Sequence, residues 1–219
     1  MQSVLRGLFE CEIGIGLTDP AAPQPPLWPA EQAYIAQAIP TRQNEFAAGR
    51  AAARRALRDI GQLPQAIPAQ DNRAPVWPAG VAGSITHSKT ICAAVVSPHA
   101  TALGLDIEPL QVMDEDLISS ICSKKELSHI LSLDKCFGPL LVFAAKEAAY
   151  KAQFPLTETL FGFDALDVVL NPETKSFTAT FLHRVGGFAV GDRLPGRYGF
   201  AAGHLVSGVT IGQVTAKGA

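Results

Sequence analysis

The residues best suited to chemistry are three carboxylates and one lysine in the second half of the chain. Asp106 and Glu108 stand two apart in an apolar run that predicts a strand, so both side chains point to one face. Glu147 and Lys151 stand four apart in a predicted helix and share a face there. Two carboxylates on one strand face repel each other unless a cation lies between them. Oxygen ligands favour Mg²⁺ or Mn²⁺, which often also binds a substrate phosphate, so the pattern predicts a metal site for phosphate chemistry.

The surroundings of these residues favour a functional cluster over an ordinary solvated surface. Acids at a strand end and a Glu–Lys pair on a helix are each common without any function. Here Asp106 and Glu108 end the apolar run 101–105, where a charge without a partner is costly. The other faces of the helix that carries Glu147 and Lys151 hold Leu, Phe, Ala and Tyr. Such a helix is buried, so its charges need partners.

The first half of the chain supplies basic and hydroxyl side chains that suit a phosphate ligand. Residues 83–88 read Gly-Ser-Ile-Thr-His-Ser, where small residues let a ligand approach the backbone and His87 could donate a hydrogen bond. A lone histidine is also common as a structural residue, so a role for His87 depends on its neighbours. The predicted helix 42–60 carries several arginines, of which Arg55 and Arg58 are expected on a solvated face. Planar guanidinium groups bind phosphate well, which makes this helix a candidate anion site.

Periodicity, caps and proline positions define the elements that must position these residues. The predicted helices are residues 31–38, 42–60, 114–119, 123–131 and 139–153, and Ser123 and Glu126 have the spacing of a capping box. The predicted strands are residues 11–17, 82–85, 91–97, 102–107, 165–170, 177–182, 188–190, 198–202 and 204–211. Each half combines one long helix with several strands. The expected fold class is therefore α+β with two similar lobes.

The bulk composition indicates a compact globular protein. Of the 219 residues 47% are apolar and 17% charged, which argues against a disordered chain, and the net charge of −2 argues against a nucleic-acid binder. No apolar run reaches the ~20 residues that span a bilayer, and the N-terminus lacks the apolar core of a signal peptide, so the expected location is the cytoplasm. The cysteines lack metal-type spacing and are expected as reduced, mostly buried thiols: Cys11, Cys92, Cys122 and Cys136.

Four ordered blocks of the sequence resemble the surfactin-type 4′-phosphopantetheinyl transferases, and most closely the enterobactin synthase component D subgroup. The first block is residues 42–54, which begins Arg-Gln-Asn-Glu-Phe-Ala-Ala-Gly-Arg, and the second is residues 73–88. The third is Leu-Gly-Leu-Asp-Ile-Glu at 103–108, and the fourth is Phe-Ala-Ala-Lys-Glu at 143–147 with Lys151. The match runs from about residue 30 to 155, and an ordered set of four blocks is far more specific than any one of them.

The resemblance implies a reaction and roles for the acidic residues. Members of this family transfer the 4′-phosphopantetheine group of coenzyme A, their substrate, to a serine of an apo carrier protein of the siderophore, polyketide or fatty-acid type. Adenosine 3′,5′-bisphosphate is released. Asp106, Glu108 and Glu147 would hold Mg²⁺ on the pyrophosphate. Glu147 would also take the serine proton or orient the base, and Lys151 would neutralise or protonate the departing nucleotide.

The resemblance also implies a nucleotide site and a fold. The side chains around the nucleotide phosphates would be Arg42, Arg50, Arg54, Arg73, Thr86 and His87. Two pseudo-symmetric lobes, each a small mostly antiparallel sheet packed on a long helix, would place the active site in the cleft between them. The N-terminal lobe, residues 1–102, would bind the coenzyme A phosphates, and the C-terminal lobe, residues 103–219, would carry the metal and catalytic motifs. Two lobes in one chain make a monomer sufficient.

Two other interpretations of the same residues stay open on the sequence alone. The acids could serve a Mg²⁺-dependent phosphohydrolase or nuclease, although a nuclease needs a basic groove that the net charge of −2 does not suggest. The chain could also be a non-catalytic binder of carrier proteins, against which the intact acids and Lys151 argue. For carrier docking the candidate segment is residues 110–131, with Met113, Leu117 and Lys124 as the expected contacts.

Overall fold

The computed structural model describes residues 1–131 and 137–213. The helices in this part of the chain are α1 (Gln2–Leu8), α2 (Pro29–Gln32), α3 (Pro40–Asp59), α4 (Glu115–Ile121), α5 (Lys124–Leu131) and α6 (Gly138–Thr157). The strands are β1 (Gly14–Thr18), β2 (Ala82–His87), β3 (Cys92–Ser97), β4 (Ala100–Pro109), β5 (Leu166–Asn171), β6 (Ser176–Phe181), β7 (Arg193–Ala201) and β8 (His204–Gln213). A short 3₁₀ turn, Phe163–Ala165, precedes β5.

The described residues divide into two compact units. One consists of Met1–Glu10 and Gly104–Ile211 and is called the α6 unit here. The other consists of Cys11–Leu103 together with the described residues Gly212 and Gln213, and is called the α3 unit. The first ten residues therefore group with the second half of the chain. The sequence-based lobe boundaries, 1–102 and 103–219, stay a prediction.

The α3 unit is an antiparallel sheet packed on one long helix. In the described part of this unit β3 lies between β1 and β2, and Gly14 of β1 pairs with Val96 of β3. Helix α3 packs on all of these strands. It ends at Asp59, and Gly61 follows with a φ of 73°, the left-handed conformation that commonly ends a helix. Its alanines give it a smooth face, and the core beneath is made of Ala, Val, Leu and Ile side chains.

The α6 unit has a larger sheet, also packed on one long helix. Within the described residues the strand order is β4-β8-β7-β6-β5, and β5 to β8 pair antiparallel with their neighbours. Helix α6 packs on β5, β6 and β7, while α1 packs on β7. Aromatic rings fill the space under α6, and Phe181 and Phe188 stack with their centroids 4.7 Å apart. The core of this unit is closed by apolar residues of α4 and α5.

In each unit a glycine of one strand packs directly against the backbone of the long helix. A Cβ built on Gly16 of β1 would lie 1.8 Å from the carbonyl oxygen of Ala52 in α3, and one built on Gly104 of β4 would lie 1.8 Å from that of Ala148 in α6. Only glycine permits such an approach. Helices α3 and α6 are each 20 residues long. The predicted α+β class with two similar lobes is confirmed.

Some local predictions were wrong. The N-terminal helix α1 was not predicted, because its few apolar residues pack on a strand far away in sequence. The predicted strand 188–190 makes only an isolated bridge, between Val185 and Phe188, and the turn carries Gly186 at a φ of 54°. Cys136 lies outside the described residues. No helix among the described residues is long and apolar enough to span a membrane.

Candidate active site

The α6 unit brings together the four residues predicted to do chemistry. Asp106 lies in β4 and is only 3% exposed, and Glu108 is half-buried two positions on. Glu147 and Lys151 lie one turn apart in α6 and are half-buried. Lys151 Nζ donates a hydrogen bond to Asp106 Oδ1 at 2.5 Å. Because Gly104 lets the backbone of β4 approach α6 closely, acids of the strand and charges of the helix meet.

Burial and mutual repulsion perturb the carboxylates of this cluster. The pKa of Glu108 is raised to about 7, mainly by burial and also by the nearby Asp106 and Glu147, while Lys151 opposes the shift. The pKa of Glu147 is also raised, mainly by burial and then by Asp106, while Lys151 lowers it. These influences place the four charges in one electrostatic neighbourhood. Three carboxylates against one ammonium leave surplus negative charge when all are ionised.

This donor set fits a hard divalent cation by its chemistry. Carboxylate oxygens are the ligands that Mg²⁺ prefers, and the surplus negative charge would be offset by two positive charges. The positions of the side chains do not themselves form a metal site. No group of three or more His, Cys, Asp or Glu side chains in the described ranges is arranged as a metal site, and Asp106 contacts Lys151. The metal site of Asp106, Glu108 and Glu147 therefore stays a prediction.

A narrow cavity of about 110 Å³ opens beside Glu147. Aromatic side chains form most of its wall, including Tyr150, Phe161 and Phe163. Lys146 lines it as well, but its ammonium points to protein partners: Nζ donates to the carbonyl oxygens of Ile121 and Phe163 and to Glu126 Oε2. The cavity is therefore apolar next to a carboxylate, which suits an uncharged chain that ends in a reacting group.

Ser123 and Glu126 confirm the capping box that the sequence predicts. The Glu126 backbone N–H donates to Ser123 Oγ at 3.1 Å, and the Ser123 N–H donates to Glu126 Oε2 at 2.7 Å. Glu126 is also buried, 1% exposed, and paired with Lys146, neither of which was predicted from the sequence. A lysine directly after two alanines, in a helix that is apolar on most faces, was the available signal, because such a charge must find a partner.

The α3 unit holds the predicted nucleotide residues, and three of them line one cavity. Arg42, Arg50 and Arg73 border a space of about 520 Å³. Arg73 lies at a φ of 71° in an exposed turn closed by its N–H to the Gln70 carbonyl. The remaining wall consists of Tyr34, Ile35, Ala38, Phe46, Ala69, Gln70 and Asp71. A cavity lined by three arginines, a single acid and two aromatic residues suits an anionic ligand with a flat ring.

His87 joins this group through Arg42. Arg42 Nη1 lies 3.3 Å from His87 Nε2 and 3.3 Å from Glu45 Oε2. His87 Nε2 is 3.7 Å from the same Glu45 oxygen. Thr86 precedes His87 on β2, is 5% exposed, and pairs in register with Ala93 of β3. Its place inside the sheet differs from that of the exposed His87.

Arg50 and Arg54 are both buried but make different contacts. Arg50 is 6% exposed, stacks on the Phe46 ring at 3.9 Å, and its Nε donates to the Ile67 carbonyl at 2.6 Å. Burial lowers the pKa of Arg50 to about 10, which leaves it charged at neutral pH. Arg54 Nη1 instead donates to both oxygens of Glu31 at 2.8 Å. Arg55 and Arg58 are exposed, as the sequence predicts.

Glu31 is a buried acid that sequence analysis missed. It is 0% exposed and follows Trp28 by three residues, the spacing of a capping box, although Trp28 itself lacks the usual cap oxygen. That spacing was the available signal. Arg54 is thus held in an ion pair inside the α3 unit, and its predicted contact with a nucleotide phosphate stays a prediction.

Two family models and several curated proteins match this chain. A model described as the 4′-phosphopantetheinyl transferase N-terminal domain matches residues 30–97, and one described as the 4′-phosphopantetheinyl transferase superfamily matches residues 102–192. The 4′-phosphopantetheinyl transferase Svp of Streptomyces mobaraensis is 33% identical over 195 residues, which are 84% of this chain and 78% of that protein. The 4′-phosphopantetheinyl transferase PptT of Mycobacterium tuberculosis is 32% identical over 166 residues, 72% of this chain and 71% of that protein. Enterobactin synthase component D of Salmonella typhimurium is 37% identical over 171 residues, 74% of this chain and 68% of that protein. The chain therefore belongs to the 4′-phosphopantetheinyl transferase superfamily and is a transferase enzyme.

Proposed function

We propose that this enzyme transfers the 4′-phosphopantetheine group of coenzyme A to a serine of an apo carrier protein and releases adenosine 3′,5′-bisphosphate. The observation that carries the proposal is the gathering of Asp106, Glu108, Glu147 and Lys151 where β4 approaches α6. Carboxylates and an ammonium in one half-buried place supply both a proton acceptor and a positive charge. Transfer of a phosphoryl group to a hydroxyl needs these two functions.

The enzyme's own side chains divide the work. The serine oxygen forms a bond to the phosphorus next to pantetheine, and the bond from that phosphorus to the bridging pyrophosphate oxygen breaks. Glu147 accepts the serine proton or orients the group that does so. Lys151 neutralises the charge that develops on the departing bisphosphate, or donates a proton to it. A divalent cation held by Asp106, Glu108 and Glu147, Mg²⁺ or alternatively Mn²⁺, would withdraw charge from the pyrophosphate.

The two cavities suit different parts of coenzyme A. Arg42, Arg50, Arg73 and His87, with Thr86 near them, would bind the nucleotide phosphates, and Arg54 would support that group from its pair with Glu31. Guanidinium groups bind phosphates with two donors each, which favours a nucleotide over a neutral ligand. The narrow aromatic cavity beside Glu147 suits the uncharged pantetheine chain.

The carrier is proposed to be of the siderophore, polyketide or fatty-acid type. The name enterobactin synthase component D, carried by relatives 34–37% identical to this chain, supports the siderophore type among these. The described cysteines Cys11, Cys92 and Cys122 are free thiols, which supports a reducing compartment such as the cytoplasm. A monomer contains all of the proposed residues.

The test is to incubate the enzyme with coenzyme A, Mg²⁺ and an apo carrier protein and then weigh the carrier. A gain of about 340 Da, the mass of one phosphopantetheine arm calculated from its composition, supports covalent transfer to the serine. A carrier with alanine in place of that serine is the control and must gain nothing. Release of phosphate without a heavier carrier would indicate a phosphohydrolase instead. A stable carrier complex with no change in mass would indicate a binding protein.

A further inference from the structure

Glu31 is the most deeply buried acid among the described residues of the α3 unit, and both oxygens of its carboxylate accept hydrogen bonds. Arg54 Nη1 donates to both oxygens at 2.8 Å. The Trp28 N–H donates to Oε2 at 2.9 Å, and the Ile67 N–H donates to Oε1 at 2.9 Å. A buried charge is costly without such partners, so losing any of these hydrogen bonds would destabilise the protein. The bond to Ile67 spans 36 positions of sequence and fastens the segment after α3 to α2.

The backbone of Ile67 connects Glu31 to the nucleotide cavity. Its N–H is held by Glu31, and its carbonyl oxygen accepts a hydrogen bond from Arg50 Nε at 2.6 Å. Arg50 lines the cavity of about 520 Å³, with its guanidinium over the Phe46 ring. Since Nε donates to the Ile67 carbonyl, a ligand in the cavity would bind the two terminal nitrogens of Arg50. That arrangement presents the forked side of the guanidinium, which binds a phosphate through two parallel bonds.

We propose that the enzyme prefers coenzyme A over its 3′-dephospho form and that Glu31 is a positioning residue for this preference, because through Ile67 it fixes the Arg50 guanidinium for a phosphate-bearing nucleotide. This inference rests on the proposed function of the cavity. Glu31 itself touches no ligand. It acts by holding the carbonyl that orients Arg50.

The test compares the native enzyme with Glu31→Gln in two measurements. Calorimetry gives the affinity for adenosine 3′,5′-bisphosphate, and steady-state kinetics give KM and kcat for coenzyme A and 3′-dephospho-coenzyme A. The variant keeps the shape of the side chain but loses the charge that holds Arg54. We expect the affinity for the bisphosphate to fall about tenfold. We expect KM for coenzyme A to rise more than kcat falls, and the preference over the dephospho form to shrink.

Arg50→Lys and the double variant Glu31→Gln, Arg50→Lys show whether the effect passes through Arg50. A lysine cannot present the fork, so Arg50→Lys alone should reduce the same preference. If Glu31 acts through Arg50, the second substitution adds little to the first, and the double variant resembles Arg50→Lys. Independent, additive losses of the preference would overturn the proposal.

Glu126→Gln is the matched control. Glu126 is buried at 1% exposure, accepts N–H bonds from Ser123 and Val168, and pairs with Lys146, so it repeats the Glu31 arrangement in the α6 unit. The Glu126→Gln variant should lower the free energy of unfolding by an amount comparable to that of Glu31→Gln. It should leave the preference for coenzyme A over the 3′-dephospho form unchanged. If Glu31 has only a structural role, Glu31→Gln and Glu126→Gln should show the same cofactor preference. That result would refute the positioning role.

The outcomes separate this inference from the proposed function. A native enzyme that neither binds the bisphosphate nor modifies a carrier disproves the proposed function. A native enzyme that does both, with an unchanged preference in Glu31→Gln, disproves only the role of Glu31. If Glu31→Gln does not fold, Glu31→Asp decides, because it keeps the negative charge beside Arg54 while its shorter side chain cannot hold the Ile67 N–H as Glu31 does. Reduced preference in that variant supports the proposal, and native preference overturns it.

Discussion

Lys151 of α6 and Asp106 of β4 are joined by a hydrogen bond of 2.5 Å. Asp106 is almost entirely buried, whereas the Lys151 side chain is one-quarter exposed. The pair therefore anchors the lysine at the edge of the acidic cluster and leaves part of it accessible to a substrate.

Asp106→Asn should abolish most of the transfer activity while the protein stays folded. The amide keeps the shape of the carboxylate but removes one negative charge from the cluster. We expect turnover to fall by about a hundredfold or more, the size of loss seen when one electrostatic contact to a transition state is removed. The dependence of the remaining activity on Mg²⁺ concentration should weaken. Carrier modification at several Mg²⁺ concentrations measures both effects, and native activity in this variant would remove Asp106 from the site.

Lys151→Gln should lower kcat more than it raises KM for coenzyme A. The ammonium matters most as negative charge develops on the departing bisphosphate, so its loss should cost about a hundredfold in kcat. Lys175→Gln is the control, because Lys175 is an exposed lysine in the turn before β6. A higher KM with unchanged kcat would make Lys151 a contact to the ground state only.

The expected docking surface needs a correction at Met113. Met113 is 8% exposed and belongs to the core of the α6 unit, so it was wrongly expected as a contact. Leu117 is 47% exposed on α4, and Lys124 is exposed at the start of α5. We therefore predict that Leu117→Ser with Lys124→Glu raises KM for the carrier and leaves KM for coenzyme A unchanged. Met113→Ala should instead cost ~2 kcal/mol or more in stability.

Steady-state kinetics at varied carrier concentration measure the KM for the carrier in the double variant. Unfolding by denaturant measures the stability of Met113→Ala. Unchanged carrier kinetics in the double variant would exclude this docking surface. Native stability in Met113→Ala would contradict its place in the core.

The features of the site that the sequence predicts correctly are those that one local pattern decides. The i, i+2 acids of β4 and the i, i+4 pair of α6 follow from the periods of strand and helix, and Ser123 with Glu126 follows from cap chemistry. Contacts between distant segments were not predictable in this way. The pairing of Arg54 with Glu31 spans 23 positions, and the helical periodicity that predicts an exposed Arg55 does not identify the partner of Arg54. Met113 likewise belongs to a core whose other members come from distant segments, α6 among them.

The described cysteines should differ sharply in reactivity toward alkylating reagents. Burial raises the pKa of Cys92 to about 12 and that of Cys122 to about 11, whereas Cys11 is half-buried. The thiolate is the reactive form, so at pH 8 both buried thiols stay protonated. We expect iodoacetamide to label Cys11 in the native protein and to reach Cys92 and Cys122 only after unfolding. Peptide mass spectrometry measures this, and equal labelling of Cys92 and Cys11 would contradict it.

Lys146 and Glu126 form a buried ion pair whose two halves should depend on each other. Lys146 is 2% exposed and satisfied by three oxygens, so removing either partner leaves an uncompensated charge in the core. We expect Glu126→Ala or Lys146→Met to lower the free energy of unfolding by ~3–5 kcal/mol each, and the double variant to cost clearly less than the sum. Lys125→Met is the control, because the Lys125 side chain is 76% exposed in its pair with Asp167, and such a pair contributes at most ~1 kcal/mol. Urea unfolding measures all of these variants. Additive losses would mean that the two charges are stabilised separately, by their backbone partners rather than by each other.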